Sequence, residues 1–325
     1  MSETAKAAQG DAPVAGILCL VVGVFIFMLQ DVVIRQLSSD FSAYQIVFVR
    51  GIVGIVVLSV ILYADGEEGL IYTDRPILLI VRGFLGLMSY SLYYLALSSL
   101  PLATTVTLFY ASPLFVTALS VVFLGERVDI KRWLGVLVGF GGVVVVTNPG
   151  AGLVEPAALL AIASAVTYSL MVLLTRKLSK NASGATMSFY SMLTFIVASG
   201  LFGVGAGDGY LDVYENDSLQ FLLRAWGWMP MREFLLMAFT GLTAGIGFYL
   251  LSQAYRLGEA SAVAPFEYSS LPWAILWGYV FWNEIPSANT LVGVVLIVGA
   301  GLYILHREAQ DGRKLNFGRP IRPKI

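Results

Sequence analysis

The chain has 325 residues, of which 58% are hydrophobic and 13% are charged, and its mean hydropathy is +0.79. A soluble domain is about 25% charged, and a soluble protein this apolar would expose large aggregating patches. Disordered chains are excluded because they are poor in aliphatic and aromatic residues. Composition therefore predicts a protein embedded in a lipid bilayer. The net charge of −1 gives no indication of a nucleic-acid partner.

Cysteine and histidine are nearly absent from the chain. A single cysteine, Cys19, excludes an intramolecular disulfide, and together with the single His306 it excludes a Cys/His metal cluster. We therefore expect no metal and no cofactor. The polar stretch 1–13 lacks a basic region followed by an apolar one, so it is predicted to be a disordered cytoplasmic tail instead of a cleaved signal.

Ten apolar segments follow one another along the chain, and most approach the about 20 residues that a transmembrane helix needs. Numbered one to ten, they are 14–37, 44–63, 76–98, 103–124, 133–146, 156–175, 185–204, 233–255, 260–282 and 289–305. The fifth is short for a full span.

Lys and Arg are sorted to one side of these segments. If the N-terminus is cytoplasmic, the outer connections carry only Arg224 and Arg232, while the opposite side includes the basic tail 307–325. The positive-inside rule then predicts that both termini are cytoplasmic, in the plasma membrane of a bacterium (the inner membrane). The longest outer connection, 205–231, is acidic.

The two halves of the chain resemble each other. The matched residues keep the same order: Arg35 with Arg176, Tyr110 with Tyr268, and Glu126 with Glu284. Because each half holds five segments, the second half must enter the membrane upside down. We predict an all-α integral membrane protein with ten transmembrane helices, built as two inverted five-helix repeats at 14–147 and 156–306. This architecture is common in secondary transporters, whose substrate site lies between the halves.

Residue motifs in both halves resemble a known family. The stretch 82–126 contains RG, YLAL, LPLA, YASPLF and LGE in that order, and 264–284 repeats APFEY and WNE. These motifs resemble the EamA-type pattern of the drug/metabolite transporter superfamily. The resemblance implies a carrier of small organic solutes in which segments four and nine line a central cavity, and it does not specify the substrate.

Four of the ionisable side chains inside the predicted segments stand out, because a charge there is costly and usually functional. Asp31 and Arg50 lie at matched depth near the outer side, and Arg82 and Glu267 near the cytoplasmic side. We predict an ion pair at each depth. Each pair is a structural clamp or a gating and coupling element; Arg82–Glu267 would join the two halves as an inner gate. Alternating pairing of Asp31 or Glu267 could load and release a proton, so a proton or an exchanged solute is the candidate co-substrate.

Polar and aromatic side chains between these charges are the candidate substrate contacts. They are Tyr90, Tyr94, Tyr110, Ser112, Gln253, Tyr268, Ser269 and Trp273. Tyrosine and tryptophan supply stacking area together with a hydrogen-bonding group, which suits a solute with a flat or apolar body and a polar end. Pro113 and Pro272 predict helix kinks beside them.

The expected cargo follows from the predicted pairing. If both carboxylates are paired or protonated, Arg50 and Arg82 set the charge of the cavity, which favours an organic anion or a zwitterion. A neutral aromatic metabolite remains the alternative.

The sequence gives less support to other functions. No nucleotide-binding loop or zinc-protease motif is present, so we do not expect an enzyme. We expect a secondary active transporter that moves an organic anion, zwitterion or aromatic metabolite by alternating access. A channel or lipid scramblase is the alternative, and a membrane-embedded enzyme the less favoured one. The expected partners of the transporter are the solute and the lipid bilayer, and the chain is expected to be a monomer or a homodimer.

Overall fold

A computed structural model describes residues 13–64, 73–125, 128–148, 155–178, 182, 184–213, 216–257 and 264–317. The regular elements in these ranges are all helical. They are α1 (Pro13–Leu37), α2 (Ala43–Ala64), α3 (Pro76–Ser99), α4 (Leu102–Phe109), α5 (Ser112–Leu124), α6 (Ile130–Thr147), α7 (Pro156–Leu178), α8 (Gly184–Ala206), α9 (Asp217–Leu223), α10 (Met231–Leu257), a 3₁₀ helix (Ala264–Ser269), α11 (Ser270–Trp282) and α12 (Ala288–Phe317). The tail predicted at 1–13 lies outside the described residues except for Pro13, which begins α1.

Length and composition make this a multi-pass membrane protein. Within the described ranges, nine helical stretches are long and apolar enough to cross a membrane, with α4 and α5 counted as one. Only 22–44% of the residues in each stretch are buried inside the protein. The remaining apolar surface faces outward, as expected for helices in contact with lipid.

The ninth predicted segment is not a continuous α-helix, and this corrects the sequence-based expectation. Residues 260–263 lie outside the described residues, and the described part of the segment is the six-residue 3₁₀ helix followed by the 13-residue α11. Pro272 has no N–H to donate to the Tyr268 carbonyl four residues earlier, and its ring would clash there in a regular helix. The segment therefore breaks just before this proline.

The fourth predicted segment is also interrupted. Helix α4 ends at Phe109, Tyr110 and Ala111 form a turn, and Pro113 is the second residue of α5. Pro113 cannot donate to the Phe109 carbonyl, so the break has the same physical cause as the one before Pro272. The tenth segment, by contrast, continues as helix to Phe317, so the first part of the predicted tail 307–325 is helical.

Helices before residue 148 pack mainly against helices after residue 155. Helix α1 packs along α10, α2 along α10 and α8, α3 along α7 and α8, and α6 along α12. We call the two ends of the bundle the Leu37 end, where α1 finishes, and the Pro13 end, where α1 begins. The two halves are thus interlocked and do not lie side by side as separate bundles.

Glycines allow α6 and α12 to approach each other closely. A Cβ on Gly139 would lie 3.1 Å from the Ala300 side chain, and one on Gly293 would overlap Val146. Small-residue faces of this kind allow two helices to pack closely. Here Gly135, Gly139 and Gly142 of α6 and Gly293 of α12 pack against the opposite helix.

We expect Gly142→Ala to destabilise the protein, because its Cβ would lie 2.8 Å from Leu296 Cβ and 3.0 Å from Ile297 Cγ1. Such overpacking costs about 1–3 kcal/mol and should lower the apparent Tm in detergent by several degrees. The matched control is Gly141→Ala, where a Cβ would meet nothing within 4 Å. Equal Tm values for the two variants would contradict the packing described for α6 and α12.

Candidate substrate cavity

A cavity of about 650 Å³ lies where the interrupted helices of the two halves meet. Its walls come from α1, α3, α4, α5, α7, one residue of α10, the 3₁₀ helix, the start of α11 and the middle of α12, with the start of α6 at its mouth. This volume is within the range of small-molecule sites, which is about 300–1,000 Å³.

The two helix breaks are joined by hydrogen bonds across the cavity. The Tyr110 hydroxyl donates to the Glu267 backbone carbonyl at 2.8 Å, and Ser270 Oγ donates to the Tyr110 hydroxyl at 2.8 Å. The rings of Tyr110 and Tyr268 lie 5.1 Å apart between centroids. The break in one half is therefore positioned by the break in the other.

Asp31 and Arg50 do not form the predicted ion pair; among the described residues, each charge bonds to a neighbouring tyrosine instead. The Tyr93 hydroxyl donates to Asp31 Oδ2 at 2.8 Å, while Arg50 Nη1 donates to the Tyr94 hydroxyl at 3.0 Å. The guanidinium of Arg50 also lies 5.3 Å from the centroid of the Tyr90 ring. The two side chains therefore bond to adjacent tyrosines of α3 and not to each other.

Arg82 likewise has partners other than the predicted Glu267. It donates to Thr175 Oγ1 at 2.7 Å, to Ser191 Oγ at 2.7 Å and to the Met187 carbonyl at 3.1 Å. These neutral oxygens belong to α7 and α8, so Arg82 ties α3 to two helices of the other half. Glu267 lines the cavity, and the described conformation contains no bond between these two charges.

The eight predicted substrate contacts divide equally. The four that line the cavity are Tyr90, Tyr110, Ser112 and Tyr268, and the four that lie outside the described lining are Tyr94, Gln253, Ser269 and Trp273. Tyr94 turns to Arg50 and to Gln30, whose Nε2 donates to its hydroxyl at 3.0 Å. Trp273 packs on Phe25, with ring centroids 4.8 Å apart.

Aromatic residues of the lining that the sequence did not predict include Phe27, Phe109 and Tyr168. The internal repeat contained the signal that could have found them. The match of Arg35 with Arg176 also pairs Phe27 with Tyr168, and the match of Tyr110 with Tyr268 pairs Phe109 with Glu267. All four of these residues line the cavity.

An ion pair between the halves closes the bundle at the Leu37 end. Arg35 and Glu284 form two hydrogen bonds, at 2.9 Å and 2.5 Å, and Glu284 Oε2 also accepts from the Leu102 N–H at 3.0 Å. The Arg35 guanidinium stacks 4.3 Å from the centroid of the Trp282 ring. The sequence singled out Arg35 and Glu284 only as repeat markers and did not predict that they meet.

Helix α9 covers the same end. Asn216 caps it by accepting from the Ser218 and Leu219 N–H groups, Ser218 Oγ donates to the Leu95 carbonyl at 2.6 Å, and Phe221 is fully buried. The acidic connection therefore folds onto the bundle. At the Pro13 end, by contrast, Val128 and Arg132 line the cavity, which extends toward that end.

A family model described as the EamA-like transporter family matches residues 14–148 and again 155–305. The chain belongs to the EamA-like transporter family. The resemblance noted from the motifs is thus confirmed, and so is the expectation that the chain is a transporter and not an enzyme. Two matched domains on an all-helical chain also indicate that its halves are duplicated.

Relatives that match this EamA-like chain over most of their own length are named as transporters. An S-adenosylmethionine uptake transporter of Rickettsia bellii is 27% identical, with 86% of this chain and 89% of the relative covered. The pseudopaline exporter CntI of Pseudomonas aeruginosa is 29% identical, covering 88% and 94%. A riboflavin transporter of Vibrio cholerae is 25% identical, covering 93% and 96%. One crystal structure, at 19% identity, superposes with a TM-score of 0.62 over 93% of this chain and 98% of the other, which supports the fold alone.

We expect Tyr94→Phe to destabilise this EamA-like transporter more than Tyr90→Phe. Arg50 is 2% exposed, and its only hydrogen bond to a described residue goes to the Tyr94 hydroxyl. Removing that acceptor leaves a buried cation unsatisfied, at a cost of about 1–3 kcal/mol. Tyr90→Phe keeps the ring beside Arg50 and serves as the control. Thermal unfolding in detergent measures both, and a larger loss in Tyr90→Phe would refute this account of Arg50.

Proposed function

We propose that this EamA-like chain is a secondary active transporter that moves a small organic solute by alternating access, and that the described conformation faces inward. The observation that carries the proposal is a cavity between the halves that is closed at one end by Arg35–Glu284 and extends toward the other. A carrier needs such a one-sided opening, whereas a channel conducts through a path open at both ends.

The lining of the cavity supports two inverted repeats, with boundaries at 14–147 and 156–306. Residues that correspond in the repeat face the same cavity: Phe27 and Tyr168, Phe109 and Glu267, Ser112 and Ser270. Both halves also interrupt a helix at the corresponding place. Because an inverted repeat allows two mirror-related closures of similar free energy, it suits alternating access.

We propose the 3₁₀ helix and α11 as the tenth crossing of the membrane. Near the end of α10, Leu251 and Ala254 pack with Leu20, close to the Pro13 end. Glu284, just beyond α11, meets Arg35 at the Leu37 end. The chain therefore traverses the bundle between these points, although the broken helix is too short to qualify as a span by itself.

Basic residues support a cytoplasmic Pro13 end. Arg75, Lys131 and Arg132 lie at the starts of α3 and α6 there, and Arg307, where the apolar stretch of α12 ends, bonds to Asp129. By the positive-inside rule, both termini are cytoplasmic, and the chain lies in the inner membrane of a bacterium. The Leu37 end then faces outward, so Arg35–Glu284 is an outer closure.

The named solutes of the relatives support the class of cargo and leave its direction open. S-adenosylmethionine, pseudopaline and riboflavin are all small organic molecules, but one relative is named for uptake and another for export. A proton held by Asp31 or Glu267, or an exchanged solute, is the proposed co-substrate. The chain acts as a monomer or a homodimer in the lipid bilayer.

Access to the cavity from each side tests the proposal without knowledge of the solute. We would replace Cys19 by Ser and introduce Thr117→Cys, since Thr117 lines the cavity and its hydroxyl bonds only to the Pro113 carbonyl of its own helix. An impermeant thiol reagent should modify the reporter faster in inside-out than in right-side-out vesicles. Adding Glu284→Gln should raise the rate from outside about fivefold, if the lost charge removes about 1 kcal/mol from the closed state.

Asp129→Asn is the matched control for Glu284→Gln. It removes the Asp129–Arg307 ion pair at the Pro13 end, so the rate from outside should stay at the background value. Equal rates from both sides in every variant would indicate a channel and overturn alternating access. An unchanged outside rate in Glu284→Gln would show that the Arg35–Glu284 pair is not the closure.

A further inference from the structure

Only two of the four charges that the sequence predicted inside the membrane, Asp31 and Glu267, face the cavity. Among the described residues, the charged side chains of the lining are Asp31, Glu267 and Arg132. Arg132 belongs to the first turn of α6, at the mouth. Arg50 and Arg82, which were expected to make the cavity positive, are directed to tyrosine, serine and threonine oxygens outside the lining. The closed end of the cavity therefore has a carboxylate where cations were expected.

Asp31 is positioned to receive a group from inside the cavity. It is 5% exposed, and Tyr93 donates to its Oδ2 atom. Within the described part of the chain, no donor reaches its Oδ1 atom, and the Arg50 guanidinium makes no ion pair with it. A buried carboxylate oxygen that faces a cavity without a donor is a site for a hydrogen-bonding or cationic group of a ligand.

Aromatic rings surround the approach to Asp31. Phe109 lies between Tyr93 and Tyr168, with ring centroids 5.3 Å and 5.1 Å away. Next to Phe109, at 6.1 Å between ring centroids, Tyr110 forms a second pair of rings with Tyr268. The faces of such rings attract organic cations, including quaternary ammonium groups, and they stack on flat groups. An organic anion would face the same ring faces and the carboxylate unfavourably.

We infer that the cavity selects solutes carrying an organic cation, an ammonium or sulfonium group, which sits against Asp31 while the apolar or flat body of the solute lies among the tyrosines. This inference rests on the proposed carrier function and specifies its substrate class. It replaces the preference for organic anions, and a zwitterion remains compatible through its cationic end.

A pair of thiol reagents of opposite charge tests the selectivity directly. In the Cys19→Ser, Thr117→Cys background, inside-out vesicles are treated with the trimethylammonium-ethyl or the sulfonato-ethyl methanethiosulfonate. Both rates are normalised to those of a free thiol in solution, and the cationic reagent should be the faster. Asp31→Asn should lower the cation-to-anion ratio by about tenfold or more, because loss of a nearby unit charge acts in opposite directions on the two reagents.

Two further variants keep the test independent of folding defects. Asp31→Glu retains the charge and should retain the selectivity. Asp40→Asn removes an exposed carboxylate beyond the end of α1 and should leave the ratio unchanged. A ratio that favours the anion, or that Asp31→Asn leaves unaltered, overturns the inference while the carrier function stands. A reporter modified equally from both sides overturns the carrier function itself.

Discussion

A charged side chain inside a lipid-embedded bundle must find its partners within the protein, because the hydrocarbon offers none. Three arginines find partners in different ways, and Arg50 keeps its Nε and Nη2 atoms without a partner among the described residues. Arg35 binds a carboxylate, Arg50 binds a tyrosine hydroxyl beside two aromatic rings, and Arg82 binds three neutral oxygens. The bonds of Arg35 and Arg82 cross from one half of the chain to the other, so satisfying these charges also fixes how the halves interlock.

The features that depend on local chemistry could be predicted from the sequence. Segment positions follow from apolar length, and the interruption of segment four follows from Pro113, which lacks an N–H. The partners of the charges could not be predicted in the same way. A rise of about 1.5 Å per residue gives the depth of Asp31 and Arg50, but their direction around each helix axis depends on packing. Matched depth therefore suggested an ion pair that the structure does not contain.

The absence of the predicted ion pairs changes the chemistry of the cavity. Pairing of each arginine with a carboxylate would have neutralised Asp31 and Glu267 and left the choice of cargo to residual positive charge. Arg50 and Arg82 bond to hydroxyl and carbonyl oxygens away from the lining, and Asp31 lines the cavity with an Oδ1 atom that no donor of the described residues reaches. Helix α3 supplies both partners, since Tyr93 donates to Asp31 and Tyr94 accepts from Arg50. Two adjacent residues of one helix therefore bind the two charges separately.

Burial also distinguishes charges that can exchange partners from those that cannot. The side chains of Arg35 and Glu284 are 12% and 20% exposed, so water can solvate both ions as they separate. Arg50 is 2% exposed, and leaving a buried polar group without its partner costs about 1–3 kcal/mol, whereas ion pairs that water reaches contribute about 0–1 kcal/mol. An interaction that must break in every transport cycle is therefore better placed at the rim than at the centre. In the proposed cycle, the Arg35–Glu284 pair can therefore open while the hydrogen bond of Arg50 to Tyr94 stays in place.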